Sequence, residues 1–495
     1  MASSSIAEMV RWGAENGVSF DTKKTEVMHF SRSKLRTAPA VRHGDVEKHP
    51  EPALRWLGIW LDSRLSFRLH VEKWAAKAKA VAYHLRGLTN TVHGPLPSAV
   101  RGAVRACVEP VLLHGSEAWY PGKTRPRWTH PTKDLPSSNQ HLVQIMTKAM
   151  KQAMKAILPV WKTTPITVLH RESGIPPVDQ LLDARRLRFS ARLKSLDEAH
   201  PLAIRTRPPR QPTYHDLIKR RYQIQAESSF RTRLRRANEL FAPCTRPKLV
   251  YRCFHQEQMP PLQTAGPEAA LNLRELATQN IFICLDNLAA ATCLRGTPSE
   301  SSQNVFLEFQ ALTTSHGAIQ VRWVPGHSNI PGNEQADKLA KAASSLPEPE
   351  GAQPTLAYLR RIARQKPKEA FQAWWSTSAP EQYKRLNLKA TTGCSPELSP
   401  PRAALHHLLA AKSLHGDFAA YHERFNHDDA RLLCSCGRRK APDHIFYCRK
   451  VPPRHRMRLA PSPNAAVNLA VGKDFTKFID LSKNSAFFGK ICPRH

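Results

Sequence analysis

Apolar positions recur along the chain with two periods, and the changes of period divide it. Val71, Trp74, Ala75, Ala78, Val81, Ala82 and Leu85 keep the three-to-four spacing of a buried helix face. Leu142, Ile145, Met146, Met150, Met154 and Ile157 do the same. These stripes predict the core faces of a helical region. Ahead of them, residues 1–35 predict a helix, with Gly17 to Phe30 forming a turn that enters a strand. A Pro-rich, polar stretch covers 36–53, and Leu54-Arg-Trp-Leu-Gly-Ile-Trp-Leu61 predicts one short buried strand.

Beyond residue 278 the pattern changes. Ile281-Phe-Ile-Cys-Leu285 is a continuous apolar run closed by Asp286-Asn287, as a central strand requires. A helix carrying Val305, Phe306, Phe309 and Leu312 follows, and Ile319, Val321 and Trp323 then alternate as a second strand. Asn333 opens a helix with Asp337 in its first turn. The order strand, helix, strand, helix predicts an α/β layer. Residues 205–250 are rich in Arg and Pro and predict a basic linker with some helix. Residues 343–355 form a second linker, and a mostly helical, His-rich tail completes the chain. The expected fold class is multidomain, α/β plus α. No internal repeat is visible.

Composition narrows the partner. Apolar residues make up 41% of the 495, enough for packed cores and too many for wholesale disorder. The length suits roughly two to four domains. Lys and Arg outnumber Asp and Glu by 74 to 40, a formal charge of +34, which points to a polyanion, nucleic acid first. No apolar run reaches the ~18 residues of a spanning helix, and Met1-Ala-Ser-Ser-Ser-Ile-Ala-Glu8 lacks the basic and apolar regions of a secretory signal. Ten scattered cysteines predict reduced thiols in an intracellular compartment, the nucleus for a nucleic-acid partner. Oligomeric state leaves no trace in the sequence.

The richest stretch is Arg322-Trp-Val-Pro-Gly-His-Ser-Asn-Ile-Pro-Gly-Asn-Glu-Gln-Ala-Asp337-Lys-Leu-Ala-Lys341. A strand end, a His-bearing loop and a helix start in that order aim an imidazole and a carboxylate at one point. Asp286 stands at the C-terminal end of a strand, where α/β sites gather. Taken singly, Asp286 reads equally as an exposed strand-end carboxylate or a helix cap, and Asp337 as an ordinary N-terminal helix carboxylate. Together the text closely resembles the C-terminal motif of type 1 ribonuclease H. The resemblance implies cleavage of the RNA strand of RNA–DNA hybrids with two Mg²⁺ ions. It makes Asp286 and Asp337 metal ligands and His327 an aid to product release or proton transfer. Asn287, Asn333 and Glu334 become substrate-side residues, the last two positioning the loop.

The family uses four carboxylates, and two are missing from their usual text. No Asp-Gly-Ser occurs in the sequence, and the stretch between residues 250 and 286 is too short for three strands plus a helix. Glu268 and Glu275 are the substitutes at hand. Two readings follow: an Mg²⁺-dependent hybrid endonuclease, or a basic binding protein that keeps the fold without the full metal cage. Electrostatic stabilisation of phosphoryl oxygens is the main catalytic effect in such chemistry, so the second reading is favoured.

The N-terminal third carries a further resemblance. Glu15 to Ser31, with its Lys-Lys-Thr-Glu text, and Arg55-Trp-Leu-Gly-Ile-Trp-Leu-Asp62 look like the end of a reverse transcriptase palm. Trp74 to Trp119, with Val104-Arg-Ala-Cys-Val-Glu-Pro-Val-Leu112, looks like the thumb and connection of a LINE-type (non-LTR) retrotransposon polymerase. Polymerisation needs paired palm aspartates, and the only Asp-Asp pair, Asp428-Asp429, sits elsewhere in Phe425-Asn-His-Asp-Asp. Nucleotide addition by this chain alone is therefore not expected. The resulting division is palm end 1–62, helical thumb and connection 63–204, basic linker 205–265, truncated ribonuclease H-like domain 266–345, and helical C-terminal region 356–495.

Near the end, Cys434-Ser-Cys436-Gly437 followed by His444 and Cys448 offers three thiols and an imidazole. That set suits a closed tetrahedral Zn²⁺ site of zinc-knuckle type, and Gly437 allows the tight turn. The Cys-x-Cys spacing is tighter than the commoner Cys-x₂-Cys. Four unliganded residues in a small helical domain are the plainer alternative. Similar short clusters end many LINE-type polyproteins. Arg402, His406, His407, His415 and His422 form no recognisable site and read as structural.

Overall fold

The computed structural model describes residues 2–30, 39–126, 134–136, 139–207, 229–244, 246, 281–296, 298–300, 302–316, 319–347, 353–460 and 462–493. It is mostly helical with small sheets, and the strands among the described residues form four two-stranded sheets. The chain divides into two compact units. One is built from both ends, residues 1–185 and 366–495, and the other from residues 186–365.

In the first unit the two periodic stripes form the Arg68–Gly87 and Gln140–Ile157 helices. Val71, Ala75, Ala78 and Ala82 of one, and Leu142, Met146, Met150 and Met154 of the other, are buried in one core. That core continues through Phe371, Trp375, Leu405, Leu409 and Phe478 to Cys492, so residues far apart in sequence share it. Polar clamps reinforce the joint. Arg101 Nε donates to Ser173 O and its Nη2 to Thr392 O, both at 2.7 Å. Arg402 donates to the carbonyls of Asn90, Ile157 and Ala156 at 2.6, 3.0 and 3.2 Å, satisfying the C-terminal end of the Gln140–Ile157 helix. A closed ionic group lies beneath: Glu397 meets Arg171 at 2.6 Å and Lys412 at 2.9 Å, and Arg171 meets Glu172 at 2.9 Å.

Several sequence expectations are corrected. The single strand expected over Leu54–Leu61 is an antiparallel hairpin, Ala53–Trp56 with Ile59–Asp62. Leu57 and Gly58 turn it at φ 47° and 82°, the positive values a two-residue hairpin turn needs. Leu57 is 80% exposed rather than buried. The polar 36–53 stretch holds another hairpin, Val41–His43 with Val46–Lys48. The N-terminal helix ends at Glu15, and the strand expected before Phe30 is reduced to a bridge between Val27 and Pro50.

In the second unit, part of the expected basic linker is packed helix. Ser229–Asn238 buries Leu234 and Ala237 with Leu193, close to the Pro201–Thr206 helix. Its arginines disguise a normal amphipathic pattern. Ile281–Leu285 pairs in parallel with Ile319–Trp323. Among the described residues it has that one neighbour, and its side chains are half-buried to exposed rather than enclosed as a central strand's would be. Between the strands lie two helices, Leu288–Arg295 and Gln303–His316; the sequence pattern predicts only the second.

Candidate active site and metal centre

The parallel pair sets Leu285 opposite Trp323, so Asp286 leaves the sheet at its C-terminal edge. Its backbone is fixed from the neighbouring strand. The Val324 N–H donates to Leu285 O and Trp323 Nε1 to Asp286 O, each at 2.9 Å. The half-buried carboxylate faces the 324–330 loop. A Cβ on Gly326 would stand 3.2 Å from Asp286 Oδ2, so glycine is what lets the loop lie this close. Asn333 Nδ2 donates to the same oxygen at 3.4 Å. His327 and Asn329 hold the loop in left-handed conformations, φ 54° and 57°, and both are exposed. Such backbone costs on the order of 1 kcal/mol per residue.

The helix beyond begins earlier than expected. Pro331 occupies its start, where a fixed φ is favourable, and the helix runs Pro331–Ala343. Asp337 therefore lies in the second turn, and Glu334 is the acid of the first. The helix dipole fades beyond the first turn, so it favours Asp337 little. Asp337 instead pairs with Lys341 at 3.3 Å. Four residues after Asn333, it continues the helix face from which Asn333 reaches Asp286. Asn287 serves the local fold, because its Oδ1 accepts the Ala290 N–H at 3.1 Å and caps the Leu288–Arg295 helix. Capping leaves open the substrate-side role that the resemblance gives it.

Asp286, Gly326 and Asn333 are thus brought together, with Asp337 on the same helix face as Asn333. Among the described residues, neither Asp286 nor Asp337 belongs to a metal-sized group of three or more His, Cys, Asp or Glu. Glu268 and Glu275 lie outside the described residues. Among the described residues, Asp286 and Asn333 meet at this corner, fewer ligands than two Mg²⁺ ions require. Sequence reasoning missed Trp323 as the clamp on Asp286; its place at the end of the alternating strand was the available signal.

The C-terminal cluster is fully assembled. One ligating atom each from Cys434, Cys436, His444 and Cys448 lies within 4.8 Å of all the others, and all four residues are buried. Cys434 Sγ and Cys448 Sγ are 4.0 Å apart, and Cys436 Sγ and His444 Nε2 3.3 Å. Zn–S bonds of ~2.3 Å in a tetrahedron place sulfurs about 3.8 Å apart, so the donor set fits Zn²⁺. Gly437, at φ 84°, turns the chain while its N–H donates to Cys434 O at 2.9 Å.

Burial pushes the Cys448 thiol up to about 11. At Cys434 burial acts the same way. There it is outweighed by the Cys436 N–H and by the thiols of Cys492, Cys436 and Cys448, which lower its pKa. Burial, then Arg438, lowers that of His444. The C-terminal segment closes over the cluster through Ser435 Oγ, which donates to Ile491 O at 2.5 Å, and Lys440 Nζ, which donates to Pro493 O at 3.2 Å. Neither contact was legible from the cysteine spacing.

Residues 285–345 match the model of the RNase H family. This part of the chain is therefore supported as a ribonuclease H domain, a class that binds nucleic acid, acts on RNA–DNA hybrids and typically uses Mg²⁺. No curated protein and no solved structure matches the chain. No helix among the described residues is long and apolar enough to cross a membrane.

Proposed function

We propose that this chain is a nucleic-acid-binding protein of ribonuclease H type that holds RNA–DNA hybrids without cleaving them efficiently. The observation that carries the reading is the Asp286 corner. A strand-end carboxylate, the glycine of a His-bearing loop and Asn333 of the next helix meet there, inside the segment that matches the family. The net charge of +34 supports a polyanionic partner. The absent Asp-Gly-Ser text, and the lack of a third ligand beside Asp286 and Asp337 among the described residues, support weak chemistry.

The chain derives from a LINE-type retrotransposon reverse transcriptase, on the resemblance of its N-terminal third, and works in the nucleus. Within the proposed site, Asp286 and Asp337 supply the remaining metal-facing carboxylates. His327 is poised for proton transfer, and Asn287, Asn333 and Glu334 line the substrate side. Cys434, Cys436, His444 and Cys448 hold Zn²⁺, which ties the 432–448 loop together and brings structural rather than catalytic chemistry.

The test is a labelled RNA–DNA hybrid incubated with Mg²⁺ and either the native chain or Asp286→Asn. Binding by both with equal, background cleavage is expected. Mg²⁺-dependent cleavage by the native chain that Asp286→Asn abolishes by orders of magnitude overturns the reading. For the metal centre, purified protein is expected to carry one equivalent of zinc, and Cys448→Ser none; equal zinc in both refutes the site.

A further inference from the structure

The Gln140–Ile157 helix has no acidic residue, and its charged positions are Lys148, Lys151 and Lys155. Their spacing of three and then four puts all of them on one face, a stripe about 10 Å long at ~1.5 Å per residue. The partner helix Arg68–Gly87 adds Arg86, whose Nη1 donates to Gln152 Oε1 at 3.0 Å in the middle of the stripe. Its one acid, Glu72, is engaged by Arg68 at 2.8 Å. At the far end Lys155 Nζ donates to the Lys162 backbone carbonyl at 3.2 Å, and the Lys162 charge, which acts on Lys155, is the fifth cation.

Burial lowers the pKa of Lys155, and Lys151, Arg86 and Lys162 add to the effect. Like charges held this close, with no ion pair to a carboxylate among the described residues, raise the energy of the free protein, and a bound polyanion removes that cost. A merely solvated basic face would let its side chains spread apart. Here Lys151 and Lys155 are only half-exposed.

We propose that Arg86, Lys148, Lys151, Lys155 and Lys162 form a binding track for the phosphodiester backbone of a nucleic-acid duplex, outside the ribonuclease H segment. A stripe of about 10 Å matches two to three successive phosphates of one strand, at ~3.4 Å of helix axis each. The track rests on the nucleic-acid-binding reading above and gives it a second point of attachment.

The test measures duplex affinity by fluorescence anisotropy across a range of salt concentrations, using the full chain. One triple variant is Lys151→Gln, Lys155→Gln, Lys162→Gln. The control triple is Lys24→Gln, Lys384→Gln, Lys477→Gln, which removes equal charge from lysines already paired with Asp21, Glu381 and Asp474. Each lost phosphate contact lowers the slope of log affinity against log salt by about 0.9. The stripe triple is expected to lose about 2–3 in slope, the control less than about 1, and Lys151→Arg, Lys155→Arg, Lys162→Arg to keep it. Equal losses in the two Gln triples, no loss in either, or loss in the Arg triple overturns the track. A native chain that binds no duplex at all fails the nucleic-acid reading as well, which separates the two failures.

Discussion

The unit built from both chain ends and the 281–347 segment of the other unit bury their side chains very differently. In the unit built from both chain ends, Trp119, Met146, Met150, Met154, Phe371 and Phe478 are wholly enclosed in one core, and the charges beneath it are paired. In the 281–347 segment, Ala291, Pro298 and Val324 are the buried apolar side chains among the described residues, and the Pro331–Ala343 helix buries none. Packing therefore holds the first unit. A few directed hydrogen bonds, from Trp323, Val324 and Asn333, hold the geometry around Asp286. Stability measurements should report on the helical unit, and Mg²⁺ measurements on the Asp286 corner.

The sharpest way to break that contrast is Glu397→Ala. It leaves two buried cations, Arg171 and Lys412, with Glu172 as the one carboxylate they still share, and such a loss costs about 3–5 kcal/mol. Urea unfolding checks it; a cost under about 1 kcal/mol would show that the ionic group is not structural. Met150→Ala, in the enclosed core, is expected to cost about 2–5 kcal/mol. Acid should act in two stages. Burial holds His170 at about 4, and burial with His406 holds His407 at about 3, so both stay neutral when folded. Below their ordinary value of 6.5 the unfolded chain binds protons that the folded chain refuses, and stability falls as pH drops from 6.5 toward 4.

Burial would raise Glu397, yet Lys412 and Arg171 hold it at about 2, below its ordinary 4.5. Its contribution is present above 4.5 and is lost as pH falls from there toward 2. A Tm that stays level from pH 6.5 to pH 4 would contradict the first stage. The smallest effect belongs to Leu339→Ala on the Pro331–Ala343 helix, where the side chain is 65% exposed. Within about 0.5 kcal/mol of native stability is expected; a cost as large as that of Met150→Ala would erase the contrast.

Much of this was legible in the sequence, for physical reasons that differ by region. Long helical stripes such as Leu142 to Ile157 announce themselves because one face must be apolar over several turns. The Cys434 to His444 cluster is legible because soft ligands rarely crowd by accident. The Leu57-Gly58 turn was hidden because leucine seldom adopts positive φ, so the run read as one strand. The Leu288–Arg295 helix was too short to show a period, with Asn287 its one clear signal. Above all, periodicity carries no information on long-range contact. Nothing in the local text of Arg402 says that it closes the end of a helix at Ile157.

The proposed function turns on whether the Asp286 corner holds Mg²⁺ tightly. Titration calorimetry of the full chain with Mg²⁺ tests it most directly. No binding tighter than the millimolar range is predicted, and no difference between the native chain and Asp286→Asn, since hard cations need more ligands than the described residues of this corner supply (about six oxygens each). Two Mg²⁺ ions bound per chain well below millimolar concentration, and lost in Asp286→Asn, would contradict it.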